Sequence, residues 1–215
     1  MSDVGSGGYH WRDAERVARW TEQPVSDARQ QGLHAITDHV PGPPGTPFNF
    51  VDLGAGDGRV SEVILTRFPE ATGDLVDFPE PMIERGKQRL EPFAGRIRYR
   101  YWDMNAGDWP EELPGPFLAV VSAAALHHLD NERKRWLFGE VSARLQPGGV
   151  FATWDLFRNP LATLGVEEVH ARTCASVDEA EAFLAEAGFR DVATTGRRPR
   201  ADRKGELAVM SGIRP

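Results

Sequence analysis

A doubly wound α/β sheet is the architecture this chain predicts, and three observations predict it. Apolar runs of strand length, bounded by turn residues, recur about 20 to 30 residues apart from Phe48 onward. Amphipathic helical patterns fill the intervals between them. A glycine-rich turn, Gly54 to Gly58, stands where the first run gives way to the first of those helices. A length of 215 residues suits one domain with a sizeable core.

The elements follow in order. From Tyr9 to about Val40 the apolar marks Trp11, Val17, Trp20, Leu33 and Ile36 predict one or two amphipathic helices, and PGPPGTP, from Pro41 to Pro47, breaks the chain after them. Residues 1–45 are therefore expected to form a helical appendage or lid, and 46–215 the main domain. Within it, FNFVDLG, GDLVDF, IRYRYWDM, PFLAVVSAA and GGVFATWDLF each suit a strand buried on both faces. Helices are expected over Arg59 to Arg67, Pro79 to Leu90 and Asn131 to Leu145; the last has Asp130 and Asn131 as caps and Pro147-Gly148-Gly149 as its stop. After Asp155 the pattern changes. A helix from about Val177 to Ala187 closes at Gly188, and FRDVATTG and GELAVMSGI flank the turn-rich RRPRADRKG, an antiparallel hairpin on the sheet's edge.

Composition narrows the function. Lys plus Arg is 25 against 32 for Asp plus Glu, and a net charge of -7 disfavours a general binder of nucleic acid or anionic membrane and favours a small-molecule partner. The basic runs RIRYR and RRPRADRK raise RNA as an alternative, but a solvated strand face and a hairpin loop account for them more simply. One cysteine, Cys174, precludes an intrachain disulfide and suits a reducing compartment. Without a signal-like N-terminus or a long apolar run, a cytoplasmic protein is expected. Three lysines among 25 basic residues, with much Ala, Gly and Pro, suggest GC-rich bacterial coding. The oligomeric state is not readable, and a homodimer stays open.

Gly54-Ala55-Gly56-Asp57-Gly58 spells G-x-G-x-G, not the G-x-G-x-x-G of a dinucleotide loop, and no Walker lysine follows. Asp57 would oppose a pyrophosphate at the helix N-terminus. The loop thus suits a nucleoside ligand without phosphates, such as S-adenosylmethionine, which is cationic in two places and anionic in one; a mere tight turn is the alternative. Asp77, about 20 residues on at the end of LVDF, can accept from both ribose hydroxyls, or else cap the next helix. Phe78 offers an apolar wall to the adenine, with Met82 grouped beside it. Asp103 can accept from an adenine amino group while the Met104 N–H reaches a ring nitrogen, or else Asp103 closes an Asx-turn.

With these residues in view, the chain resembles class I S-adenosylmethionine-dependent methyltransferases of the small-molecule type. VDLGAGDGR resembles their first motif, LVDFPEPMIERGKQRL the acidic strand end and following helix, and YWDMNAGDW the adenine segment. FLAVVSAAALHHL resembles the fourth strand with its active-site extension, and LQPGGVFATWDLF the fifth-strand region; the match runs from about Phe48 to Phe157 and less specifically through AEAGFRDV. The resemblance implies a Rossmann-like seven-stranded sheet with helices on both faces, S-adenosyl-L-methionine as cofactor and S-adenosyl-L-homocysteine as product. It places Asp52, Gly54, Ala55 and Gly56 near the methionine tail, Asp77 on the ribose, Asp103 and Met104 at the adenine, and the backbone of Ser122 and Ala123 near the amino group. Relatives often carry a long helical roof after the fifth strand; here only Arg158 to Ser176 is available, so the N-terminal segment must supply the lid or the site is open.

Methyl transfer needs alignment of nucleophile, methyl and sulfur, and often a base. His127 and His128 follow the fourth strand, and neighbours in a turn usually point apart, so one is expected to face the site. His127 is favoured as base or acceptor-positioning group, with a helix-entry or core role as its alternative. Asp155 would orient an imidazole or bind the acceptor, or sit solvated at a strand end. Trp11 and Trp154 could wall the acceptor, or belong to the core. No metal site is expected, since adjacent histidines rarely share one ion. Two further functions stay open: a reaction of the same fold that retains the methyl group, and a non-catalytic binding subunit. A tRNA or protein methyltransferase is a minor alternative.

Overall fold

The computed structural model describes residues 12–43, 45–160, 173–201 and 204–215. Two helices come first, α1 (Ala14–Thr21) and α2 (Asp27–His39), capped by the side chains of Asp13 and Ser26. Then follow β1 (Phe48–Leu53), α3 (Arg59–Arg67), β2 (Ala71–Asp77), α4 (Glu80–Arg89), β3 (Ile97–Tyr101), β4 (Phe117–Ala123), α5 (Asn131–Arg144), β5 (Leu145–Arg158), α6 (Val177–Glu186), β6 (Arg190–Pro199) and β7 (Gly205–Ile213). All seven strands join one sheet in the order β3-β2-β1-β4-β5-β7-β6. The first five pair in parallel, whereas β7 runs antiparallel to both β5 and β6. The expected doubly wound sheet with an antiparallel end is thus present.

Its order reverses between β1 and β4, so the loops leaving those two strands diverge and open a crevice at their carboxyl ends. One face of the sheet packs Leu137, Phe138 and Val141 of α5 and Phe183 and Leu184 of α6. The other packs Val60, Ile64 and Leu65 of α3 together with Leu33 and Ile36 of α2. Ile36 and Thr37 are fully buried, so α2 is a layer of the main core while α1 overhangs. Gly32 permits that docking, because a Cβ there would meet the Trp154 ring at 2.4 Å.

Two expectations are corrected. β3 is an edge strand and not buried on both faces: Tyr101 is 67% exposed, and Arg98 and Arg100 lie on the side of Asp74, which Arg100 contacts at 2.9 Å. Its alternating arginines are what an edge can solvate. Trp154 is a core residue, 7% exposed beneath α2, and does not wall a cleft. Trp11, most of the segment 158–176 and the hairpin turn at 202–203 lie outside the described residues. Among the described residues, no helix is long and apolar enough to cross a membrane.

Candidate functional site

The loop after β1 is fixed from below. The N–H groups of Gly54 and Ala55 both donate to the Val76 carbonyl, at 2.8 and 3.0 Å, and Gly54, Gly56 and Gly58 all take positive φ. A Cβ on Gly54 would meet that of Ala125 at 2.3 Å, whereas one on Gly56 would meet nothing nearer than Asp77 at 3.9 Å. Gly54 is thus a packing glycine, and Gly56 leaves space beside Asp77. Tyr99 on β3 braces the loop, its hydroxyl donating to the Gly56 carbonyl at 3.2 Å. Gly86 in α4 makes the room, since a Cβ there would lie 1.8 Å from that hydroxyl.

Asp57 is buried and already satisfied. Arg59 Nε reaches its two oxygens at 2.8 and 3.1 Å, and Arg89 donates at 3.0 Å. Arg59 also donates to the Thr21 carbonyl at 2.9 Å, so one guanidinium joins the loop to the end of α1.

The loop, the ends of β2, β3 and β4, and the two N-terminal helices enclose a solvent-open cleft of about 860 Å³. Asp77 stands at its floor, its carboxylate accepting from the Gly56 N–H at 2.6 Å and the Phe78 N–H at 2.7 Å. Burial pushes its carboxyl up to about 6, against the pull of those two bonds. Pro79 occupies the cap position of α4, so Asp77 is not its N-cap. Asp103 does close an Asx-turn, accepting from the Asn105 N–H at 2.9 Å, and still lines the cleft, as do Phe78, Met82 and Met104.

Two expected cofactor residues lie under the loop and not on the wall. Asp52 is fully buried; one oxygen accepts from Ser61 at 2.6 Å, and Oδ1 has no hydrogen-bond partner. Burial, with Asp77 and Asp57 adding repulsion and Ser61 opposing, pushes its carboxyl up to about 7. Ser122 spends its hydroxyl on the Leu53 carbonyl at 2.8 Å, while Ala123 reaches the cleft.

The histidine pair departs from expectation. The rings do not point apart but pack together, centroids 4.0 Å from each other. His128 lines the cleft; the favoured His127 does not, and instead meets Asp155 through Nδ1 at 2.6 Å. Asp155 is buried and also accepts from the Leu126 N–H at 2.8 Å, so it pins the turn and does not line the cleft. Burial works against its charge, but His127 and the adjoining N–H groups outweigh it and hold the carboxyl below its ordinary value. Lys134, buried alongside, donates to the carbonyls of Leu129 and Thr173, and burial lowers its amine to about 8. Among the described residues, no group of three or more His, Cys, Asp or Glu could hold a metal ion.

Several cleft residues escaped the sequence reading. Trp102 lines the wall, its Nε1 buried without a hydrogen-bond partner; it lay inside a noted motif, but only its acidic neighbour drew notice. Trp20 and Leu33 were legible as apolar marks. Arg29 carried no signal, because a single arginine in an amphipathic pattern reads as solvated surface.

A protein-family profile described as a methyltransferase domain matches residues 50–149, the stretch from β1 to the start of β5 that builds the loop and strand ends. Over that stretch, a little under half of its length, the chain is similar to methyltransferase domains. The structure of phosphoethanolamine N-methyltransferase 2 from Haemonchus contortus, in complex with S-adenosyl-L-methionine, matches this fold with a TM-score of 0.80 at 15% identity, covering 100% of this chain and 60% of that one. An uncharacterised methyltransferase of Mycobacterium bovis is 33% identical over 103 residues, 47% of either chain. A trans-aconitate 2-methyltransferase of Streptomyces coelicolor is 31% identical over 137 residues, covering 61% of this chain and 44% of that protein. The methyltransferase match therefore spans about half the length of these curated relatives.

Proposed function

We propose that the domain binds S-adenosylmethionine and transfers its methyl group to a small-molecule acceptor, leaving S-adenosylhomocysteine. One observation carries this reading: a glycine loop whose carboxylate, Asp57, is engaged by two arginines shares a cleft with two further carboxylates, Asp77 and Asp103, at successive strand ends. Such a wall offers acceptors to an adenosine's hydroxyls and amino group and no cradle for a phosphate. The buried, unpartnered Asp52 Oδ1 under the loop is in keeping with a cationic ligand above it. The trans-aconitate enzyme among the relatives supports an acceptor of small size.

When bound, the cofactor supplies a methyl group made electrophilic by a positively charged sulfur. Asp77 accepts from the ribose hydroxyls, Asp103 and the Met104 N–H take the adenine edge, and Phe78, Met82 and Trp102 exclude water from its faces. The backbone of Ala123 serves the amino group. Trp20 and Leu33, which line the cleft from the N-terminal helices, cover the acceptor side as a lid. The role given to His127 passes to His128, the histidine on the wall, which receives the acceptor's proton or orients its nucleophilic atom. His127, held by Asp155, backs that ring and fixes its position.

Calorimetric titration with S-adenosylmethionine and S-adenosylhomocysteine, with NAD as control, tests the binding, and a labelled-methyl assay over small acids, phenols and amines tests the transfer. Binding of the sulfur nucleosides but not NAD, with S-adenosylhomocysteine formed in step with methylated product, is expected. Absence of nucleoside binding would defeat the proposal, whereas product without S-adenosylhomocysteine would assign the fold to non-methylating chemistry.

A further inference from the structure

The loop that follows β3 brings Asp103 and Met104 to the cleft, and its internal bonds close it only on itself: the Asp103 carboxylate accepts from the Asn105 N–H at 2.9 Å, and the Asp103 carbonyl from the Ala106 N–H at 3.0 Å. A helix holds it from outside. Arg133, in the first turn of α5, donates from Nε to the Met104 carbonyl at 2.5 Å and from a terminal nitrogen to the Gly107 carbonyl at 2.6 Å, so one edge of a planar guanidinium spans the turn. That plane is itself fixed. Trp136, one turn along α5, has its ring centroid 3.6 Å from the guanidinium carbon and 6.4 Å from the ring of Trp102 in the cleft wall. The helix gives no reason for this residue. A cation in a first turn opposes the partial positive charge of the helix N-terminus, and burial outweighs the nearby Asp108, Asp103 and Asp130 in lowering its pKa. The two carbonyls are what Arg133 gains there, and the first of them adjoins both the Asp103 carboxylate and the Met104 N–H.

We infer that Arg133 is the positioning residue that makes this loop selective for adenine. The inference rests on the methyltransferase reading and on its placing of the adenine edge at Asp103 and the Met104 N–H. A loop held in shape before the ligand arrives leaves those groups unpaired against a wrong base, whereas a loop released from α5 can draw back from the wrong base and must be ordered by the right one. Selectivity therefore falls when the brace is cut. Calorimetry on the parent protein, Arg133→Gln and Arg133→Lys tests this with two probes: S-adenosylhomocysteine, and S-inosylhomocysteine, in which a carbonyl oxygen replaces the adenine amino group. The parent should prefer the adenine compound. Arg133→Gln should bind S-adenosylhomocysteine about 10-fold more weakly and lose about the same factor of preference, with Arg133→Lys, which cannot span both carbonyls, in between. Equal weakening towards both probes, with the preference intact, would assign Arg133 to stability alone and overturn the inference, as would a glutamine variant that matches the parent. Should Arg133→Gln fail to fold, Arg133→Lys makes the same comparison, and a preference equal to the parent's overturns the inference there. A parent that binds both probes alike overturns the inference while leaving nucleoside binding in place. A parent that binds neither overturns the methyltransferase reading first, and this inference with it.

Discussion

Asp52 and Asp77 set the pH behaviour at the residue scale. Both carboxyls lie above their ordinary value of 3.8, at about 7 and about 6, because burial penalises their charge. A folded-state value above the unfolded one gives stability that is full below about pH 4 and lost as pH rises through 6 to 7. For the ligand-free protein, Asp52→Asn should therefore raise the melting temperature at pH 8 and flatten its pH dependence between 5 and 8, measured by calorimetric scans. In the proposed binding mode ligand affinity should have the opposite trend, since the ionised Asp77 is the stronger acceptor for the ribose hydroxyls: affinity for S-adenosylhomocysteine should fall below about pH 6. Asp77→Ala should cost roughly 1 to 3 kcal/mol of that affinity by titration calorimetry. His128→Ala should lower kcat by roughly 100-fold or more while leaving cofactor affinity near the parent's, and His127→Ala should do less. The carboxylates at strand ends were legible in the sequence because a carboxylate after an apolar run has few structural uses. Which histidine faces the cleft was not, since that depends on Asp155, 28 residues away, capturing His127 across the sheet.

At the scale of elements, the strands and helices followed from apolar runs and breakers, and their bounds moved by only a few residues. β5 begins at Leu145, ahead of the Gly-Gly pair, because Leu145 already pairs with Phe117 of β4. Neighbour relations were less legible than elements: the same apolar-run pattern served for β1, which is interior, and β3, which is an edge. The docking of α2 was also hidden, since Gly32 reads as a helix weakness until the Trp154 ring appears against it. Gly32→Ala should therefore destabilise the protein by about 1 to 3 kcal/mol despite the better helix propensity of alanine, as read from denaturant midpoints. A midpoint that rises instead would show α2 to be loosely held.

Considered whole, the molecule has its ligand-facing groups on one end of a sheet whose core needs α2. A chain beginning at residue 41 would expose the apolar surface now covered by Leu33, Ile36 and Val40, and should show loss of cooperative unfolding by circular dichroism, beyond mere loss of a lid. The fold class was legible at this scale because strand and helix alternation leaves few topologies, whereas the cleft's far wall comes from a segment joined to it only through space. Arg59 makes that union concrete, binding Asp57 of the loop and the Thr21 carbonyl of α1 at once. Whatever steadies the loop also steadies the helix above it, so the two substrates should not arrive in random sequence. Initial-rate kinetics should show a compulsory order with the nucleoside first, and S-adenosylhomocysteine should compete with the nucleoside but inhibit non-competitively against the acceptor.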